Sequence, residues 1–216
     1  MTWIPTRSGQ IIDLLTPSAQ TIDFEQDVAP ALALIPRFAG QAGSLDRGYS
    51  VAQHCILGCD ALHAETGSAL AAFAFLLHDA HEAYIGDITT PMQAALDRAI
   101  AQFFGHHRGG YNLARDGKRI IANKLDRAIY EAAGLRLPLP AEIVGHVTDM
   151  DRRLLKRERD DLLPAHPRLW EAAIEEAGPI PSIPGQITVW TPGAARLGWL
   201  TRLRGLQAKL AAQAPS

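Results

Sequence analysis

The stretch Ala69-Leu70-Ala71-Ala72-Phe73-Ala74-Phe75-Leu76-Leu77-His78-Asp79-Ala80-His81-Glu82-Ala83-Tyr84-Ile85-Gly86-Asp87 decides the fold. It opens as an apolar run with large side chains on several sides, then turns abruptly polar. A helix that is apolar all round belongs in a core, and this run is far short of the roughly 20 residues needed to cross a bilayer. The pattern predicts a buried helix from Ala69 to Tyr84, closed by Gly86. Its polar end carries His78, Asp79 and Glu82 into the interior, where charged groups are costly without partners.

Helical periodicity continues on both sides of this segment. Upstream, Ser50-Val51-Ala52-Gln53 forms a capping box that starts a helix to about Ala64, broken by 65–68. Asp27 is expected to cap a short helix that Pro36 ends, with Pro30 tolerated in its first turn. Ser8-Gly9, between short apolar stretches, suggests a small N-terminal hairpin. Downstream, Thr90-Pro91 begins a helix that fades at Gly105. Residues 105–110, with His106, His107 and Arg108, read as a polar surface loop. A further helix ends near Gly134, a long one follows Pro140 to about Leu163, and a shorter one spans Arg168 to Ala177. Ile187–Trp190 could form a strand, and Thr191-Pro192 starts a final helix. No repeat or linker divides the chain. The expected architecture is one mainly α domain over residues 1–216.

Composition excludes several classes. The chain has 216 residues, 47% hydrophobic and 20% charged, with a formal net charge of −2. These values fit an ordinary folded domain and argue against a broad nucleic-acid or membrane surface. Met1–Leu15 lacks a basic start followed by a long apolar run, so a cytoplasmic protein is expected. Cys55 and Cys59, four apart on one helix, are poorly placed for a disulfide and read as small buried side chains of a reducing compartment.

The chemistry lies in converging sectors rather than in the His-Asp dipeptide, which says little in a chain with 8 histidines. At about 100° per residue, His78 at 0°, Glu82 at 40° and Asp79 at 100° share one sector, with His81 off to one side. Imidazole and carboxylate on one helix edge can bind a metal. A buried His hydrogen-bonded to a carboxylate is the competing reading. His54 lies one turn into its helix, on the side of Val51, Gly58, Ala61 and Leu62. On the helix after Pro140, Asp151 falls at about 80° from Ile143, inside the apolar stripe, and Asp149 at about 240°, opposite it. Asp151 is therefore the buried carboxylate that needs a cation or partner. Glu158 shares its face, as a core contact or a support to the ligands.

His54, then His78-Asp79, then Asp151 resembles the H…HD…D signature of HD-domain phosphohydrolases. Tyr49–His54 and Leu76–Asp87 together resemble a small bacterial and phage branch of that family, near the 5′-deoxynucleotidases and the deoxynucleoside triphosphohydrolases. Arg37-Phe38, Met150–Leu155 and Trp190-Thr191-Pro192 extend the likeness over nearly the whole chain. The resemblance implies an HD-type helical bundle and a divalent metal ion (Mn, Co, Mg, Zn or Fe) held by His54, His78, Asp79 and Asp151. It implies that Glu82 does acid/base or water-positioning work, that Asp87 lies in the catalytic pocket, and that Arg37 grips phosphate. By sequence alone Arg37 would be a surface salt-bridge residue. The chain departs from the pattern at Gln93, where relatives often carry a lysine, and in a longer 105–120 stretch.

The implied activity is metal-dependent hydrolysis of a nucleotide phosphoester, of the 5′-nucleotidase or triphosphohydrolase type, with a small-molecule nucleotide as partner and a homo-oligomer compatible. Two other readings stay open. One is hydrolysis of another small phosphorylated metabolite or signalling nucleotide; the other is a non-catalytic, metal-containing nucleotide sensor.

Overall fold

The apolar run forms the central helix of a mainly α-helical fold. In the computed structural model, which describes residues 1–44, 46–104 and 112–213, this helix is α3 (Ala69–Leu77), buried along its whole length apart from the partly covered Leu70. Around it pack α2 (Val51–Thr66), α6 (Leu113–Ala133), α7 (Ala141–Leu162) and α9 (Pro192–Gln213). The short α1 (Ala29–Leu34) lies against α2 and α9, and α5 (Thr90–Phe104) packs on α6. Among the described residues no helix is long and apolar enough to cross a membrane.

The capping logic largely sets the boundaries. Ser50 accepts from Gln53 N at the start of α2, and Gly67, in the left-handed region at φ 66°, closes it. The N-terminal hairpin is present, with β1 (Trp3–Pro5) antiparallel to β2 (Ile11–Asp13). A second hairpin pairs β3 (Gly43–Ser44) with β4 (Arg47–Gly48). Asp27, however, is not a helix cap. Asp23 takes that role, accepting from the N–H groups of Glu25 and Gln26. Asp27 is buried and accepts from Ser8 N at 2.8 Å and Ser8 Oγ at 2.7 Å, fastening the hairpin turn to the helical layer.

Two further expectations are corrected. Among the described residues Ile187–Trp190 pairs with no strand. Gln53 on α2 donates to Thr188 O at 2.7 Å and accepts from Trp190 N at 2.9 Å, and Asp161 accepts from Ile187 N at 2.9 Å. Side chains thus satisfy backbone groups that would otherwise demand a ladder. The helix expected over Arg168–Ala177 is reduced to the single turn α8 (Ala172–Glu175), because Glu175 is drawn to Arg159 and to the N–H of Trp170. His106, His107 and Arg108 lie outside the described residues.

The most consequential difference is at the end of the central helix. α3 stops at Leu77, and a tight turn at 78–81 separates it from α4 (Glu82–Ile85). Within the turn Ala80 N bonds to Leu77 O, and Glu82 N to Asp79 O, a three-residue pattern rather than the four-residue α ladder. The carbonyl of Leu76, denied its usual helical donor, accepts instead from the indole Nε1 of buried Trp199 at 3.2 Å. The break lets successive polar residues face one point.

Candidate metal centre

Four side chains from three helical segments converge. His54 comes from the first turn of α2, His78 and Asp79 from the turn after α3, and Asp151 from the middle of α7. His54 Nε2 lies 3.4 Å from His78 Nε2, 3.3 Å from Asp151 Oδ1 and 3.6 Å from Asp79 Oδ2. His78 Nε2 lies 3.2 Å from Asp79 Oδ2 and 3.8 Å from Asp151 Oδ1. Atoms bound to one first-row divalent ion at about 2.0–2.2 Å are about 3.0 Å apart at right angles and about 3.5 Å apart in a tetrahedron. The spacing fits a shared ion, and His54, His78 and Asp151 form a group that could hold one. Asp151 is not buried as expected, its side chain being 42% exposed, but it reaches both imidazoles; Asp149 is 60% exposed and is bonded instead to Arg153 at 3.3 Å.

The tautomers support the same use. His78 Nδ1 donates to Phe75 O at 2.6 Å, and His54 Nδ1 donates to Glu158 Oε1 at 2.6 Å. Both rings therefore turn their Nε2 lone pairs toward the cluster, with the opposite nitrogen anchored as metal-binding imidazoles usually are. Two lone pairs facing each other beside two carboxylates leave a demand for positive charge. Burial works against charging these imidazoles, but the adjoining acids outweigh it and hold both above the ordinary histidine range. Burial likewise pushes against ionisation of Asp79 and Asp151, and the imidazoles outweigh it, holding both below the usual carboxylate range.

Behind His54 lies a network enclosed except at Arg37, whose side chain is 11% exposed. Glu158 accepts from His54, from Tyr49 Oη at 2.7 Å and from Arg37 Nε at 3.2 Å. Burial raises its carboxyl, but Arg37 and His54 outweigh burial and hold it below its ordinary value. Arg37 also donates from Nη1 to Asp79 Oδ2 at 3.3 Å. It is therefore a buried link between α7 and the cluster, not a surface salt-bridge residue. Backbone pairing sets it there: Arg37 N donates to Tyr49 O and Val51 N to Ile35 O. The turn that follows puts the non-glycine residues Phe38 and Ala39 at φ 56° and 52°, a strained conformation. It brings the Phe38 ring 6.4 Å from that of Trp170.

Glu82 and Asp87 stand on the outer side. Glu82 is 4% exposed, yet its Oε2 is buried with no hydrogen-bond partner among the described residues. Burial, aided by the Asp79 and Asp87 charges, pushes its carboxyl up to about 9. Asp87 is half-buried, and burial raises it too. Gln93 is occupied with the carbonyl of Ile88 at 2.7 Å. Cys55 and Cys59 are buried free thiols, and burial pushes Cys55 up to about 11, so it packs as a neutral side chain. Asp126, bonded to His81 at 2.9 Å, is a participant without a sequence signal, and Tyr49 is marked in the sequence only as part of the Tyr49–His54 segment, with no role of its own.

The fold and site together define a mainly α protein with a partly enclosed His/Asp cluster able to hold a metal ion. No family model matches the chain. It is similar to an uncharacterized protein of Rhodobacter capsulatus, 29% identical over 164 residues, covering 74% of this chain and 82% of that protein. It is also similar to the uncharacterized protein YfdR of Escherichia coli, 35% identical over 136 residues, or 63% of this chain. That alignment spans 59% of YfdR, less than two thirds of its length.

Proposed function

We propose that the chain is a metal-dependent phosphohydrolase of the HD-domain type that hydrolyses a phosphoester of a nucleotide, with deoxynucleotides as its preferred class. The observation that carries the reading is the pairing of a four-residue His/Asp cluster at ligand spacing with a buried, unpartnered carboxyl oxygen of Glu82 beside it.

His54, His78, Asp79 and Asp151 would hold a divalent ion, drawn from Mn, Co, Mg, Zn or Fe. Bound there, the ion supplies Lewis-acid stabilisation of phosphoryl charge and acidifies water. Glu158 and the Phe75 carbonyl keep the two imidazoles in the ligating tautomer. Glu82 Oε2 is free to take a hydrogen bond from water, or to pass a proton to the departing oxygen. Asp87 shares that proton traffic on the open side. Arg37 commits Nε and Nη1 to Glu158 and Asp79, which leaves further guanidinium donors for a phosphate oxygen. The Phe38 ring, 5.8 Å from the Arg37 guanidinium carbon and 6.4 Å from the Trp170 ring, offers an apolar edge suited to a nucleobase.

Metal-loaded protein assayed against nucleoside mono- and triphosphates, with phosphate and triphosphate resolved, tests the reading. Release of phosphate assigns a nucleotidase, and release of triphosphate a triphosphohydrolase. No turnover of any nucleotide across the five metals overturns the enzyme reading and leaves the nucleotide sensor.

A further inference from the structure

We propose that Lys118 of α6 binds the phosphate of the substrate, as a cation on the outer side of the cluster that works alongside Arg37. This role rests on the phosphohydrolase reading above. α6 is fixed at two points: Asp97 of α5 accepts from Ala114 N at 2.8 Å, and Asp126 accepts from His81 Nδ1 at 2.9 Å. Lys118 lies between these anchors, about one turn beyond Ala114 and two turns short of Asp126.

The phase of α6 turns this lysine inward. At about 100° per residue, with Lys118 at 0°, Ala122, Leu125 and Ile129 fall at about 40°, 340° and 20°. Those three are buried, so Lys118 continues the inward stripe of the helix, and it is itself half-buried. Its charge is felt at Glu82 and at Asp87, which sets the ammonium on the outer side with them. Neighbouring cations of α6 are engaged elsewhere. Arg115 pairs with Asp97 at 3.3 Å, Arg119 with Asp116 at 2.9 Å, and Lys124 donates to Leu15 O at 2.8 Å. Lys118 has no hydrogen bond or ion pair among the described residues.

The simpler alternative is a lysine that runs its stem along the apolar stripe and leaves its head in water. That accounts for the half-burial, but gives no reason for an unpaired ammonium to sit on the side of the site. Electrostatics supplies one. The outer side holds the carboxyl groups of Asp79, Glu82 and Asp87, and ionised carboxylates repel an arriving phosphate. Arg37 has committed Nε and Nη1 to Glu158 and Asp79, and Gln93 is bound to the carbonyl of Ile88. A compact ammonium on a flexible four-carbon stem can follow a phosphate oxygen without a fixed fork geometry. Lys118 thus offsets the acids at the place where the phosphate must approach them.

The test reads phosphate binding apart from turnover. Inorganic phosphate is titrated into the metal-loaded full chain by calorimetry, and KM and kcat are measured for the best nucleotide. Lys118→Met keeps a long stem and removes the charge. It is expected to weaken phosphate binding and raise KM by about 10–100-fold, with a smaller change in kcat and with metal content and Tm unchanged. Lys118→Arg should recover most of the affinity, and Lys124→Met should behave as the unmodified protein. With turnover KM decides; without it the phosphate affinity does. An unchanged value in Lys118→Met overturns the proposal and leaves the phosphohydrolase reading standing. So does a loss that comes with loss of metal or that arginine does not recover, since that marks a structural lysine. If the unmodified protein turns over no nucleotide, the phosphohydrolase reading falls alone when phosphate still binds through Lys118, and both fall when phosphate does not bind.

Discussion

Both carboxyl oxygens of Glu158 have found donors, whereas among the described residues one oxygen of Glu82 has not. On the inner side Tyr49, His54 and Arg37 all donate to Glu158, which is wholly enclosed. A satisfied buried network fixes geometry. On the outer side Glu82 is almost as deeply buried, but one of its oxygens is bare and its carboxyl is raised by its neighbours. Polar groups left unsatisfied in this way cluster at functional sites. The contrast teaches a division of labour: the inner side sets where the ligands point, and the outer side receives what reacts. Each side can be broken separately.

The largest effect is expected where the two sides meet. Asp151→Ala removes a carboxylate that touches both imidazoles, and it should abolish tight metal binding, read by metal content after dialysis. Asp149→Ala, on the exposed face of the same helix, should leave the ion in place and change stability by no more than about 0.5 kcal/mol. Metal retained in the first variant and lost in the second would overturn the assignment of the α7 ligand. On the outer side alone, Glu82→Gln should keep the tight ion while lowering turnover of the best nucleotide by about 10²–10⁴-fold. Unchanged kcat would remove Glu82 from the chemistry.

The parts legible in the sequence are those with a local cause. The apolar run at 69–77, the cap at Ser50 and the stop at Gly67 follow from side chains within a few residues. The phase of α7 separates Asp151 from Asp149 for the same reason. The remainder depended on distant partners. The break at 78–81 is accompanied by a bond from Trp199, 123 residues beyond Leu76. Tyr49 gains its role from Glu158, 109 residues on, and His81 from Asp126, 45 residues on. Ile187–Trp190 has the side chains of a strand, but Gln53 supplied the hydrogen bonds that a neighbouring strand would have made. A one-residue pattern cannot register such exchanges.

Glu158→Gln sharpens the inner half of the comparison. Glutamine offers one carbonyl oxygen where three donors converge, and its amide hydrogens must then face one of them. The ligating tautomer of His54 loses its charged acceptor, and metal affinity should fall by about 10–100-fold, measured by competition with a chelator. An unchanged affinity would mean that the network supports the fold without tuning the ligand. Metal withdrawal gives a further check. At free metal about 100 times its dissociation constant, the ion should stabilise the folded chain by about 2.7 kcal/mol, seen as a lower Tm after chelation.

The smallest effect is expected from packing behind the ligands. A Cβ added at Gly58 would sit 2.1 Å from Phe75 Cε1 and 2.2 Å from Cζ, so the ring must move or the helices part. The ring is enclosed, and its centroid lies 4.4 Å from that of His78 and 5.6 Å from that of His54. Displacement therefore cannot be absorbed by solvent; it presses on both imidazoles or separates α2 from α3. Overpacking of this kind costs about 1–3 kcal/mol, which for a chain of this size lowers Tm by roughly 2–4 °C per kcal/mol. Gly58→Ala should also weaken the tight ion, by less than Glu158→Gln does, because the anchors at Nδ1 survive. A lower Tm with unchanged metal affinity would show that the imidazoles are held by their hydrogen bonds alone, and that the aromatic wall behind them contributes only to the core.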